Sequence, residues 1–511
     1  MLRTKNTLKT FLYGIFFTSI IAILGLVKTK ILLSCLGDEY VGVYQLFYQI
    51  YLYLSIVDGG IGASVTYQLY KPISDNNTKK INNIIEGSRR YFNKIGIFVI
   101  ILGILISFEI MFFIKETTIN TLYIKICFIL YIISSAISYF TTSHSFLYEA
   151  EQKLYKSSNL NHMLSITESI TAIIIAKLGG KLLTILICFV VLSVTKNIVL
   201  VVSSRKDHKY LKRSKKPDFS FKKDANSLIV NKINTLIFEN SNVLIVSKFL
   251  GLKTVIVYNA YNQIVTMIKQ MIQRFSAALL PSVGNLLVSE KEKAKNIFKE
   301  LNALLFYLAN TLVVPIFFML SPFISLWYGS EYESTMIVCL LFSLLLYVEI
   351  IRISLETYVK ASGEFKKIKN CGIYQSIVCV TLALILVNKI GISGVLLSTL
   401  IAFTTGTFIQ YPNIICKHII NDKTISYYLK CFKYIIGLAI NFIIINLIEP
   451  HIHINSLISW GVKGVILFTI SLLITSIYFY LTKEYIFLER IKFILKKKGS
   501  KKNEKQNVKN N

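Results

Sequence analysis

Residues 182–203 read LLTILICFVVLSVTKNIVLVVS. This is a nearly pure run of Leu, Ile, Val and Phe. At 1.5 Å of rise per residue it is long enough to cross the roughly 30 Å hydrocarbon core of a bilayer as a helix. Similar apolar segments lie before it, near residues 11–34, 41–70, 95–114, 121–147 and 159–178. Others follow near 226–248, 255–286, 301–322, 335–358, 370–388, 391–415, 433–449 and 457–482. The pattern predicts an all-α, polytopic membrane protein with about fourteen transmembrane helices. Composition agrees: of 511 residues, 54% are hydrophobic and 16% charged, against about 25% charged in a soluble chain.

The charge is one-sided, with 57 Lys and Arg against 27 Asp and Glu. With the N-terminus inside and the segments alternating, 42 of the cations fall on inside segments and seven on outside loops. Positive charge stays on the cytoplasmic side of a membrane, so both termini are expected in the cytoplasm and the protein in the cell membrane. The longest polar stretches, 204–225 and 483–511, are too short to form a basic soluble domain, which speaks against nucleic acid as a partner. The basic, apolar start reads as an uncleaved first span, although LLSC at 32–35 has the look of a lipobox. Eight cysteines form no CxxC pair, and His451 and His453 lack further ligands nearby. No disulfide framework, metal site or cofactor is expected. No catalytic motif stands in a suitable context and the outer loops are short, so the chain does not read as an enzyme.

Shifted by 214 residues, 31–92 aligns with 245–306 without gaps and thirteen positions are identical. Among them are Leu36/Leu250, Gly37/Gly251, Tyr44/Tyr258, Gln49/Gln263 and Glu86/Glu300. Six spans separate the copies, so the two halves have the same orientation. Parallel repeats of this kind are a transporter architecture with the substrate path between lobes. The expected organisation is an N-lobe over 1–203, a basic cytoplasmic linker over 204–225, a C-lobe over 226–416, two further spans over 417–482 and a basic tail over 483–511.

The eighth segment carries the chemistry. At 100° per residue, Asn259, Asn262, Gln263, Thr266, Lys269, Gln270, Gln273 and Arg274 fall on one arc of about 140°. Hydrocarbon cannot satisfy such a stripe, so it is expected to face protein or a water-filled cavity. An interfacial surface helix is the blander alternative. Arg274 and Arg352 are two of only eight Arg in a chain with 49 Lys, and Arg offers a planar fork that matches phosphate. Arg352 is flanked by Glu349 and Glu356 at i−3 and i+4, which makes either a structural ion triad or a gate. Lys28 lies late in the first segment, Asp58 in VDGGIGAS late in the second, and Glu239 at the edge of a polar stripe on the seventh. Lys28 is a candidate for the cavity, and Asp58 and Glu239 for coupling or gating. Glu109 and Glu168 are further carboxylates expected to be buried.

The stretch KTKILLSCLGDEYVGVYQLFYQIYLYLSIVDGGIGAS resembles the opening of bacterial polysaccharide-biosynthesis flippases of the MATE-like exporter superfamily. Lys28, Leu36, Gly37, Gly42, Asp58 and Gly60 match their pattern, and LWYGSEYEST resembles their outer loop after span 9. The resemblance covers most of the chain, least specifically in the last two spans. Some members carry Arg where this chain has Lys28. The resemblance implies a transporter of undecaprenyl-pyrophosphate-linked oligosaccharide. Its implied partners are that substrate, membrane lipids, H+ or Na+ as coupling ion, and polysaccharide assembly machinery. A MATE-type drug or cation exporter is the runner-up, though it would favour an acidic, aromatic cavity. A membrane glycan polymerase or ligase is the alternative from another class.

Overall fold

The computed structural model describes residues 2–222, 225–363 and 365–485, without the side chains of 2–12, 15, 225–231, 274–282, 288, 289, 291, 365 and 366. Every regular element among the described residues is helical. In chain order the α-helices are α1 (Leu2–Leu36), α2 (Asp38–Leu54), α3 (Ile61–Ser74), α4 (Thr78–Phe108), α5 (Thr121–Ala136), α6 (Thr142–Ala150), α7 (Leu154–Lys177) and α8 (Leu182–Asp207). There follow α9 (Ala225–Leu250), α10 (Leu252–Ser289), α11 (Lys291–Tyr328), α12 (Met336–Ala361), α13 (Phe365–Phe403), α14 (Ile409–Ile414), α15 (Thr424–Ile448) and α16 (Leu457–Leu481). Two π-helical segments, Thr404–Phe408 and Ile415–Ile419, flank α14.

Among the described residues, nine helical stretches are long and apolar enough to cross a membrane. One of them, Lys367–Ile419, breaks at Ile390 and Gly391, where the backbone leaves helical geometry, and so covers the expected eleventh and twelfth segments. The other four expected segments fall on α2–α3, α7, α9 and α10. Of these, α2 and α3 are short because the chain breaks between them at residues 55–60, and α7, α9 and α10 carry Glu168, Lys232 and Lys269 within their runs. The protein is a polytopic, all-helical membrane protein.

The chain divides into two compact units. The first comprises Met1–Tyr258 with Val387–Gly391. In it α1 packs along α7, α7 along α8, and α5 against both α4 and α8. Leu46, Phe47, Ile124 and Phe128 are fully buried in its core. On α4, Ile97, Ile101, Leu105 and Phe108 form an exposed apolar row at spacings of four, four and three. An outward-facing apolar row inverts the soluble pattern and suits contact with lipid. Glu109 was expected to be buried, but it stands exposed at the end of α4, where the helix stops and the chain turns.

The repeat has a structural counterpart. Gly37 and Gly251 adopt left-handed backbone with φ of 84° and 93°, and each separates two helices (α1 from α2, α9 from α10). A residue with a Cβ pays roughly 1–2 kcal/mol in that conformation, which is why glycine occurs at both equivalent positions. The copies then diverge. α2 gives way to a 3₁₀ turn over Ser55–Asp58, and Gly59 and Gly60 (φ 59° and 69°) bend the chain into α3. In the second copy α10 runs on through the equivalent residues 272–274.

The second unit comprises Asn259–Leu386 with Ile392–Asn511. α11 packs along α12, α15 and α16. The last two helices are held by a fully buried polar knot. Asn441 Nδ2 donates to the Asn310 carbonyl at 2.8 Å and to Ser471 Oγ at 2.7 Å. Asn310 Nδ2 in turn donates to the Tyr434 carbonyl at 2.9 Å. Nearer the other end of α16, the buried Lys463 donates to Glu449 at 2.5 Å and to the Ile452 carbonyl at 2.7 Å. Removing one partner of a buried pair strands the other charge. Glu449→Ala is therefore expected to destabilise the protein by about 3 kcal/mol. The double change Lys463→Met with Glu449→Gln should lie much closer to wild type. Thermal unfolding in detergent checks both, and equal losses would show that pairing is not what matters there.

Candidate functional site

The row on α12 follows from local geometry. Residues three and four apart share a helix face, so Glu349 and Glu356 both reach Arg352. Arg352 Nη2 and Nε donate to Glu349 Oε2 at 2.8 and 2.9 Å. Its Nη1 meets Glu356 Oε1 at 2.6 Å. The structure extends this triad at both ends: Lys269 of α10 meets Glu349 Oε1 at 2.8 Å, and Lys360 meets Glu356 Oε2 at 2.8 Å. Five charges thus alternate as Lys269, Glu349, Arg352, Glu356 and Lys360, with a net charge of +1. The row runs from the buried Glu349, with a side chain 9% exposed, to the half-exposed Lys360 at 51%. The Arg352 guanidinium also lies 4.7 Å from the centre of the Phe403 ring. All three guanidinium nitrogens therefore already face carboxylates, which keeps Arg352 from presenting an open fork.

The rest of the α10 stripe is less enclosed. Asn259, Asn262 and Gln263 are half-buried, whereas Gln270 and Gln273 are exposed. The side chain of Arg274 lies outside the described residues. Glu239 stands exposed on α9.

In the first unit, intramembrane charges also meet across helices. Lys28 of α1 lies 5.2 Å from the centre of the Tyr44 ring, and its Nζ donates to the hydroxyl at 3.4 Å. Lys196 of α8 donates to Asn161 Oδ1 of α7 at 3.2 Å. Asp58 forms an ion pair with Lys232, whose ammonium also donates to the Ser55 carbonyl at 2.9 Å. A second Asp58 contact is local, since its Oδ1 accepts from the Gly60 N–H at 3.0 Å and holds the bend.

Sequence reasoning thus places Glu349, Arg352 and Glu356 together and misses three links: Lys269 to Glu349, Lys232 to Asp58, and Lys196 to Asn161. A signal for the last was present, because Lys196 is the only charge in 182–203. Nothing local says which group it meets. Among the described residues, no group of three or more His, Cys, Asp or Glu is placed to hold a metal ion.

Residues 7–287, more than half of the chain, match the model of the polysaccharide biosynthesis protein family. The chain belongs to that family. No curated protein matches it significantly in sequence. Among solved structures, the polysaccharide biosynthesis family member described here is similar to the lipid II flippase MurJ in an inward closed conformation. That likeness has a TM-score of 0.66 and 18% identity, covering 92% of this chain and 99% of that one. It is also similar to an inward-facing multidrug resistance MATE transporter of the MOP superfamily, with a TM-score of 0.63 and 14% identity over 76% and 93% of the two chains. A MOP superfamily transporter from Pyrococcus furiosus, noted for the reverse polarity of its binding pocket, gives 0.56 and 14% over 78% and 91%. The fold is that of the MATE-like exporters.

Proposed function

We propose that this protein is a flippase that carries undecaprenyl-pyrophosphate-linked oligosaccharide across the cytoplasmic membrane for polysaccharide assembly. It acts by alternating access between lobes formed by residues 1–203 and 226–416, and not as an enzyme. Family membership over residues 7–287 carries this reading. The chemistry of the chain supports it. A lipid-linked diphosphate saccharide has an anionic centre, a polar glycan and a long apolar tail. Amides at Asn259, Asn262, Gln263, Gln270 and Gln273 suit the glycan, and Lys28, Lys269 and Arg274 suit the diphosphate.

The α12 row gives the cycle a handle. Lys269 meets Glu349 at 2.8 Å, and the row holds a surplus positive charge. A diphosphate competes with Glu349 for Lys269. Glu349, Arg352 and Glu356 then form the gate, with Asp58 and Glu239 as further candidates for coupling to H+ or Na+. The fold alone does not separate this reading from drug export, since flippase and MATE structures share it. In proteoliposomes, a fluorescent undecaprenyl-diphosphate oligosaccharide should change leaflet only when the protein is present. Efflux of organic cations, or glycan transfer without translocation, would replace the proposal by one of its rivals.

Orientation has its own test. In a cysteine-free background, a cysteine at Ser330 should react with an impermeant reagent in intact cells, and one at Ser214 should not. The native Cys35 must be removed first because it is exposed. The reverse labelling pattern would invert the topology.

A further inference from the structure

The basic segment between α8 and α9 is folded, and its backbone is fixed against α3 and α4. Asn82 brackets it, donating to the Tyr210 carbonyl at 3.0 Å and accepting from the Lys212 N–H at 3.0 Å. The Asp218 N–H donates to the Asn83 carbonyl at 2.9 Å. Ser64 Oγ donates to the Phe221 carbonyl at 2.9 Å, and Ser220 Oγ to Gln68 Oε1 at 2.6 Å. His208 and Phe221 plug the segment into the unit, with 2% and 0% of their surface exposed. His208 Nε2 lies 3.0 Å from Glu151. Burial raises the Glu151 carboxyl, but His208 and Lys153 outweigh it and hold the group below its ordinary range. Gly87 of α4 permits the close approach, because a Cβ there would sit 1.9 Å from the Asp218 carbonyl oxygen.

The cations on this fixed backbone are left outside. Every Lys and Arg from Arg205 to Lys216 is exposed, and none forms an ion pair among the described residues. Like charges held this way repel one another unless an anionic surface neutralises them. Aromatic rings accompany them. Lys222 Nζ lies 4.9 Å from the centres of both the Tyr91 and Phe219 rings. Phe219 is 38% exposed, and Tyr67 and Tyr70, one either side of Gln68, are 72% and 48% exposed. Exposed rings among cations, at the ends of apolar helices, are the chemistry of the headgroup layer.

We propose that residues 205–222 form a folded binding surface for the headgroups of anionic phospholipids in the leaflet they face. The surface does not depend on what the protein transports. Its location at the helix ends favours lipid over a soluble acidic partner, because headgroups already occupy that level.

The test uses the full chain, purified in neutral detergent, with native mass spectrometry after titration with phosphatidylglycerol or phosphatidylcholine. Wild type should retain phosphatidylglycerol in preference. Changing Lys212, Arg213, Lys215 and Lys216 together to Gln should weaken that retention at least about tenfold and leave phosphatidylcholine unaffected. Gly87→Ala keeps every cation but displaces the segment, and it should also weaken retention. Undiminished retention by the fourfold variant overturns the proposal. So does full retention by a folded Gly87→Ala, which would reduce the surface to a count of charges. Displacement of the lipid by equimolar inorganic pyrophosphate would also overturn it by marking a free-phosphate site. If Gly87→Ala does not fold, the fourfold variant decides alone.

Discussion

Glu349→Gln is expected to destabilise the protein by about 3–5 kcal/mol, more than Arg352→Leu. Glu349 is the hub of the α12 row, since its two oxygens meet Lys269 and Arg352 at 2.8 Å each. Neutralising it leaves three cations and one carboxylate in the row, and takes the 2.8 Å carboxylate contact from the Lys269 ammonium, whose side chain is only 17% exposed. Removing Arg352 is gentler by this count, because Glu349 keeps Lys269 and Glu356 keeps Lys360. The double change Glu349→Gln with Lys269→Met should recover about half of the loss, as the surplus charge goes with its carboxylate. Thermal unfolding in detergent and steady-state abundance in membranes report the effect. If Arg352→Leu proves the more damaging, the Lys269 link is not what makes Glu349 structural.

Arg274→Glu is expected to reduce translocation of a lipid-linked diphosphate saccharide to background while the protein still inserts and folds. Arg274 lies on the polar arc of α10, and an uncompensated charge in a membrane helix costs roughly 2.5–3.5 kcal/mol on insertion scales. Its place in a chain that elsewhere chooses Lys suggests a ligand with phosphate geometry. Arg274→Lys keeps the charge and loses the bidentate fork, so it should retain measurable transport. Proteoliposome assays of both variants, with abundance controls, decide the matter. Undiminished transport by Arg274→Glu would remove Arg274 from the substrate path.

Much of the molecule is legible one helix at a time. The run 182–203 and its relatives require membrane helices, because only helical backbone satisfies itself in hydrocarbon. The Leu-Gly pairs at 36–37 and 250–251 mark equivalent breaks, because only glycine enters the left-handed region without strain. The spacing of Glu349, Arg352 and Glu356 dictates their contacts, because i−3 and i+4 neighbours share a face whatever surrounds them. Glu109 illustrates the limit, since an apolar neighbourhood in sequence does not reveal that the helix ends there.

The long-range pairs belong to the tertiary structure. Lys232 and Asp58 are 174 positions apart, and Lys269 meets Glu349 from a different helix. In a soluble protein, the buried stripe of each helix narrows the choice of neighbours. In a bilayer lipid is as apolar as the helices, so hydropathy does not say which faces meet, and packing shape and polar pairing do. The sequence by itself therefore determined the helices, their repeat and the local ion row on α12. Only the assembled helices decided that Lys269 completes that row, that Asp58 answers Lys232, and that the basic segment after α8 folds against α3 and α4, because each depends on surfaces brought together by packing.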